Sequence, residues 1–195
     1  MASISEIKSK EFFDELSKTW DSTNSKSPQV VFDNITINPT DKVLDVACGT
    51  GVLEPYLCSL TKEKVIGIDI SDGMIEKAKV NNAGLNVEYI TGSFYDFSSA
   101  PFDKIIIYNA FPHFILLDKF KEAIYRNLKA DGKFIICHSL SRAELATHHA
   151  QLSSNISRNL NYVETEADYF KDKFVINTAK EDDKSFVIVG TKIIK

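Results

Sequence analysis

Two aspartates and two glycines stand at spacings that suit a nucleotide-type ligand. Asp45 lies in an apolar, β-branched run, Val43-Leu-Asp-Val-Ala-Cys-Gly-Thr-Gly51. The run stops at small residues and resumes as a helical pattern through Leu53, Tyr56, Leu57 and Leu60. A buried strand feeding a glycine loop and then a helix reads this way. Gly49 and Gly51 have no Cβ, so the main chain there can turn tightly and come close to a ligand. Pro55 suits a first helical turn, where its missing N–H costs nothing. Asp69 ends a second apolar run, residues 64–70, twenty residues after Gly49. An acid at that distance is placed to accept hydrogen bonds from a ribose diol.

Two ligands of this type compete. A dinucleotide fingerprint wants a third glycine three residues after Gly51, so that the pyrophosphate can sit on the helix start. Glu54 occupies that position, a carboxylate where a diphosphate would lie. The stretch instead resembles motif I of class I S-adenosylmethionine-dependent methyltransferases, Asp/Glu-x-Gly-x-Gly-x-Gly, with Ala47 in place of the first glycine. The resemblance covers residues 41–140. It implies S-adenosyl-L-methionine as cofactor and S-adenosyl-L-homocysteine as product. It also implies Asp45 beside the methionine ammonium, Ala47, Gly49 and Gly51 along the methionine part, Asp69 on the ribose hydroxyls and Ile70 against adenine. Family members commonly carry an Asp after the glycine equivalent to Gly92, bonded to the adenine amino group. Ser93 stands there in this chain, which leaves its hydroxyl or the Phe94 backbone to serve. Asn109, at the end of a later strand, completes the expected cofactor set.

A sulfonium methyl is already activated, so the protein must hold a nucleophile in line and exclude water. Positioning alone can supply roughly 7–11 kcal/mol of barrier lowering, and a base helps only when the nucleophile must lose a proton. His113, His138 and His149 are the candidates on the acceptor side. His113 contacts substrate or caps the helix that follows. His138, Ser139, Arg142, His148 and His149 follow the fifth strand, where an acceptor would bind at the rim. His149 also falls on an apolar stripe, where a core histidine is the plainer reading. No metal site is expected, since neighbouring histidines on a helix point about 100° apart. The stretch from Asn109 lacks the Asn-Pro-Pro-Tyr pattern, which argues against a planar amide or base nitrogen as acceptor. Cys48 reads as a small packing residue.

The elements that position these groups alternate. Residues 3–20 read as an amphipathic helix with capping-box spacing at Ser3 and Glu6 and an apolar face at Phe12, Leu16 and Trp20. Packing over one sheet edge is its expected role; the alternative is a lid using Phe12, Phe13, Trp20 and Asp21. Residues 21–29 read as a loop, and a short helix is expected over 29–35. Ser71 caps a helix whose Met74, Ile75 and Ala78 face the sheet, and Gly84 ends it. Strands follow at 87–90 and 102–108, then a helix capped by Asp118 and ended by Gly132, then a strand at 133–137. Ser141 and Glu144 start a helix with an apolar stripe through Leu145, His149, Leu152, Ile156 and Leu160. Two β-rich runs, 174–178 and 185–193, flank a charged turn and predict an antiparallel hairpin.

The fold class expected is therefore α/β: a Rossmann-like, doubly wound, mostly parallel seven-stranded sheet with a C-terminal antiparallel hairpin and helices on both faces. A single domain over 1–195 is expected, with a helical cap (1–40), a cofactor-binding core (41–140) and a helix plus hairpin (141–195). Net charge is −4 and arginine occurs only at 126, 142 and 158, so nucleic acid is disfavoured and a small-molecule acceptor favoured. Three cysteines without a paired spacing read as reduced thiols in the cytoplasm. No apolar run would span a bilayer, and the charged N-terminus lacks a signal-peptide core. The oligomeric state has no sequence signal. A small-molecule methyltransferase is the leading reading. A non-catalytic S-adenosylmethionine-binding module for regulation or assembly, and an NAD(P)-dependent oxidoreductase, are the alternatives.

Overall fold

The computed structural model describes residues 2–20 and 28–194. Seven strands form one sheet: β1 Val43–Val46, β2 Val65–Asp69, β3 Val87–Thr91, β4 Phe102–Tyr108, β5 Leu128–His138, β6 Phe174–Glu181 and β7 Phe186–Lys192. Their order is β3-β2-β1-β4-β5-β7-β6. The first five run parallel, β7 is antiparallel to β5, and β6 is antiparallel to β7. The chain winds outward from β1 toward β3, then crosses to β4 on the other side. Open α/β sheets bind ligands at such a switch point, outside the carboxyl ends of the strands.

Side-chain alternation explains why the sheet is covered twice. On β4, Ile105 and Ile107 enter one core with Leu44, Val46, Phe120, Phe134 and Phe170, while Ile106 and Tyr108 enter the other with Val43, Leu57, Val65 and Ile135. Strand residues point alternately to opposite faces, so a strand apolar at every position needs a layer on each side. Helices α2 Gln29–Phe32 and α3 Glu54–Leu60 cover the second core. Helices α5 Leu117–Asn127 and α7 Val163–Asp168 cover the first. Helix α4 Asp72–Asn81 buries Met74, Ile75 and Ala78, and Ser71 caps it by accepting from the Met74 N–H at 3.1 Å.

Several local expectations are corrected. Helix α2 is shorter than the 29–35 span. Helix α5 is preceded by Leu116 without a side-chain cap, and Asp118 sits inside its first turn. The helix then passes directly into β5 at Leu128, so Gly132 lies within the strand rather than ending the helix. Helix α6 Arg142–His149 begins at the expected capping box on Ser141 and Glu144 but does not continue to Leu160. The Ser153-Ser-Asn155 stretch folds into a turn, with the Ile156 N–H on the Ser153 carbonyl at 2.8 Å and the Asn155 N–H on the Ser153 hydroxyl at 3.3 Å. Short polar side chains that bond the nearby backbone compete with a helix ladder in this way.

Helix α1 Ile4–Ser17 has the expected capping box at Ser3 and Glu6. It does not pack over a sheet edge. It lies against α4, where Asp14 Oδ1 accepts from the Ser71 hydroxyl at 2.7 Å and the Gly73 N–H at 3.2 Å, and Lys10 bridges Asp14 and Asp72 at 2.9 and 2.6 Å. Its Phe12, Phe13 and Leu16 face a cavity over the strand ends. Asp21 and the loop expected around it lie outside the described residues. No described helix is long and apolar enough to cross a membrane.

Candidate functional site

The loops leaving β1 to β5 and the inner side of α1 and α6 enclose a cavity of about 850 Å³. Its sheet end is built from Asp45, Ala47, Gly49, Asp69, Ile70, Ser93, Phe94 and Asn109. The strand ends bring these together across a sequence distance of sixty-four residues, from 45 to 109.

Turn geometry follows the small residues. Ala47 and Gly49 both sit at φ 56°, and Gly51 at φ 82°. The left-handed region costs an L-residue roughly 1–2 kcal/mol, which Ala47 bears where the resembled pattern has glycine. A Cβ on Gly49 would meet nothing within 4 Å, so this residue borders open space. Gly51 is different. A Cβ there would lie 2.2 Å from Asn82 Nδ2 and 2.7 Å from the Tyr89 hydroxyl, and the residue does not line the cavity. Its glycine serves the packing of the loop on α4 and β3, and the expectation that it borders the methionine part is corrected. Asn109, at φ 55°, is locked across the neighbouring strand: its Oδ1 accepts from the Ser139 N–H at 2.9 Å and its Nδ2 donates to the Ser139 hydroxyl at 3.2 Å.

Three acids share this end. Asp69 Oδ2 accepts from the Gly49 N–H and Oδ1 from the Ser71 N–H, both at 2.9 Å, so the carboxylate ties the glycine loop to the second strand. A carboxylate has about four lone-pair sites, so the group keeps acceptor capacity beyond these bonds. Burial nevertheless raises the Asp69 pKa. Asp45 is 1% exposed and its Oδ1 has no hydrogen-bond partner among the described residues. Burial, with Glu54 and Asp69 adding repulsion, holds its pKa well above the usual carboxylate range. Glu54 is fully buried behind the loop, and burial pushes it up to about 7 against the pull of the nearby Glu54 and Leu53 N–H groups. A buried, unpaired acceptor is costly unless something supplies a donor. A hydrogen-bond donor, and a cationic one above all, would relieve this set. Cys48 is 4% exposed and its thiol is raised by burial, consistent with a packing role.

The histidines part company. His113 closes a single 3-10 turn, Phe111–His113, after β4. Its Nδ1 lies 3.0 Å from the Ile156 carbonyl, which can only accept, so Nδ1 carries the proton and Nε2 keeps a lone pair. Burial and the adjacent His149 hold its pKa down at about 4, and the ring is neutral. His149 lies 5.0 Å from it, centroid to centroid, with its Nδ1 3.0 Å from the Ser157 hydroxyl. Burial lowers its pKa too, with His148 adding to the effect. Both rings line the cavity, among Phe13, Phe114, Leu140, Leu145 and Leu152. His138 does not. It is fully buried at the end of β5 beside Phe186, with neither ring nitrogen partnered. Its expected place on the rim is corrected: the β5–β7 pairing, His138 opposite Phe186, turns that position into the core. Arg142, also expected at the rim, pairs with Glu181 and stacks over Tyr162. No group of described residues has three or more potential metal ligands together.

One contributor escaped the sequence reading. Glu6 of α1 is 5% exposed, lines the cavity and accepts a short hydrogen bond from the Ser93 hydroxyl. Its capping-box spacing explained it locally and hid its second partner.

Residues 37–187 match a family model described as a methyltransferase domain. Among curated proteins, the ubiquinone/menaquinone biosynthesis C-methyltransferase of Wigglesworthia glossinidia brevipalpis is 32% identical over 115 residues, 55% of this chain and 46% of that protein. The 24-methylenesterol C-methyltransferase 2 of Arabidopsis thaliana is 30% identical over 113 residues, 55% of this chain and 31% of that protein. The chain thus spans less than half the length of these relatives. Among solved structures, a DhpI–SAH complex superposes with a TM-score of 0.76 over 100% of both chains at 16% identity, a likeness of fold. With a family match over most of its length, and a sheet order and glycine loop that agree with it, this chain belongs to the methyltransferase domain family.

Proposed function

We propose that the chain is a methyltransferase that moves a methyl group from S-adenosylmethionine to an apolar small-molecule acceptor. The observation that carries this reading is one cavity with two unlike ends. Unpaired acid and open main chain lie at the strand ends, and neutral histidine among aromatic side chains lies opposite. When bound, S-adenosylmethionine supplies a methyl group already activated on a sulfonium. Asp45 offers its orphaned oxygen to the ammonium, and Asp69 offers its remaining lone pairs to the ribose hydroxyls. Gly49 and Ala47 leave the main chain bare along the methionine part. Ile70, Ser93 and Phe94 border adenine, and Asn109 braces the edge between β4 and β5.

At about 850 Å³ the cavity is near the upper end of ligand pockets, roughly 300–1,000 Å³, which leaves room for an acceptor. Among the described residues the acceptor side holds no carboxylate and no lysine, which favours an apolar molecule there. The quinone-pathway and sterol methyltransferases that the chain resembles point the same way. His113, tautomer-locked by Ile156, presents Nε2 to an acceptor hydroxyl as hydrogen-bond acceptor or base, and His149 stands behind it. The net charge of −4 disfavours nucleic acid, and three free cysteines suit the cytoplasm.

Titration with S-adenosylmethionine, S-adenosylhomocysteine and NADH tests the cofactor, and S-adenosylhomocysteine release from metabolite pools tests turnover. Binding of NADH alone would overturn the reading. With an acceptor in hand, His113→Asn retains an amide donor for Ile156 but loses Nε2. It should lower turnover at least tenfold with cofactor affinity changed less than twofold. A rate that needs neutral His113 rises through pH about 4 and is flat above it, because the neutral form is complete there. A histidine-dependent limb near pH ~6–7, the unperturbed range, would contradict this assignment.

A further inference from the structure

Glu6 is an acid on a surface helix, yet it is 5% exposed, and one of its partners lies 87 residues away in sequence. Its Oε2 accepts from the Ser3 N–H and the Ser3 hydroxyl, each at 2.7 Å, which completes the capping box. Its Oε1 accepts from the Ser93 hydroxyl. Burial works to raise its pKa, but the bonds from Ser93 and Ser3 outweigh it and the group stays below the usual range, ionised at neutral pH. An ionised carboxylate has about four lone-pair sites and no proton to give. Three are taken, and the fourth is on Oε1, in a residue of the cavity wall. Ser93 has spent its only proton on Glu6, so its oxygen can only accept. The pair presents acceptors alone.

Its place along the sheet edge defines what it can meet. Asp69 pairs across to Thr91 on β3, and Ser93 follows two residues later. Adjacent strands lie about 4.8 Å apart. A base attached to a ribose held at Asp69 therefore extends over Ile70 toward Ser93. The amino group of adenine is a pure donor, the complement of this pair. Ser93 carries no carboxylate of its own, so the acid at this point comes from Glu6.

We propose that Glu6, delivered by α1, supplies the carboxylate at this point and with Ser93 recognises the exocyclic amino group of the cofactor's adenine. This rests on S-adenosylmethionine being the cofactor. The first helix thereby becomes part of the base-specificity site, and cofactor selectivity depends on α1 being docked. Asp14 and Lys10 hold α1 to α4 independently of Glu6, so removing the Glu6 side chain leaves the helix anchored.

The test is calorimetric binding of S-adenosylhomocysteine and of S-inosylhomocysteine, in which a carbonyl replaces the amino group. Wild type should prefer the adenosyl compound at least tenfold. Glu6→Ala should reduce that preference below threefold, and adding Ser93→Asp to Glu6→Ala should restore it. Equal loss of both ligands in Glu6→Ala, with the preference kept, would assign Glu6 to helix docking only and overturn the inference. A preference unchanged in Glu6→Ala with normal affinity would overturn it as well. Wild type that binds neither compound would instead defeat the cofactor reading itself.

Discussion

Replacing His138 by Phe should stabilise the protein increasingly as the pH falls. Burial, with His113, His149 and Arg158 nearby, holds the His138 pKa down at about 3, so the folded protein keeps this ring neutral. In the unfolded chain it titrates near ~6.5. As pH drops below that value the unfolded state takes up a proton that the folded state refuses. Stability is therefore lost progressively until pH reaches about 3, where both states are protonated. Between pH ~7.5 and pH ~5.0 this linkage is worth about 2 kcal/mol for one group. Phe keeps a flat ring against Phe186 and removes both the proton site and two unpartnered nitrogens. Any packing cost of the larger ring is independent of pH. Asp45, Glu54 and Asp69 have raised values and act in the opposite direction, but they are present in both proteins and cancel. Urea unfolding at the two pH values should show the variant's advantage growing by about 2 kcal/mol on acidification, or ~4–8 °C in Tm for a chain of this size. Parallel pH dependence in variant and wild type would refute the argument, because it would mean that His138 titrates in the folded state much as it does in the unfolded one.

The acid and the glycines of the loop make separable expectations. Asp69→Ala should weaken S-adenosylhomocysteine binding more than tenfold by titration. It should also lower the denaturation midpoint, because the Gly49 and Ser71 N–H groups lose their acceptor, at about 1–3 kcal/mol for each one left dry. Asp69→Asn, which keeps one acceptor oxygen, should fall between; wild-type affinity in a folded Asp69→Ala protein would remove Asp69 from the ribose. Gly49→Val should abolish cofactor binding with a folded chain, since its side chain would project into open space from a left-handed backbone. Gly51→Ala should instead lower thermal stability, because its Cβ meets Asn82 and Tyr89; the reverse pattern would exchange the roles given to the two glycines.

The residues themselves determined whatever depends on near neighbours. The runs at 43–46 and 65–69 are apolar at almost every position, and only a strand covered on both faces accommodates that. Ser3, Ser71 and Ser141 start helices because a cap is a contact within three residues. The loop at Gly49 and the acid at Asp69 were legible for the same reason, each being tied to a strand end. What failed depended on pairing across the chain. The stripe from Leu145 to Leu160 has helical spacing, but α6 stops at His149 and a turn at Ser153 follows, and the next helix, α7, has no side-chain cap to announce it. His113, His138 and His149 looked alike in sequence. Pairing of β5 with β7 buried His138, while the same packing put His113 against Ile156 and His149 against Ser157 at the cavity wall. Gly51 read as a cofactor glycine until α4 and β3 closed on it. Glu6 and Ser93 were each explained locally, one as a capping residue and the other as a departure from a pattern. Only a helix laid across the ends of the strands could make them one site, because a hydrogen bond between residues 87 apart leaves no mark on the spacing around either.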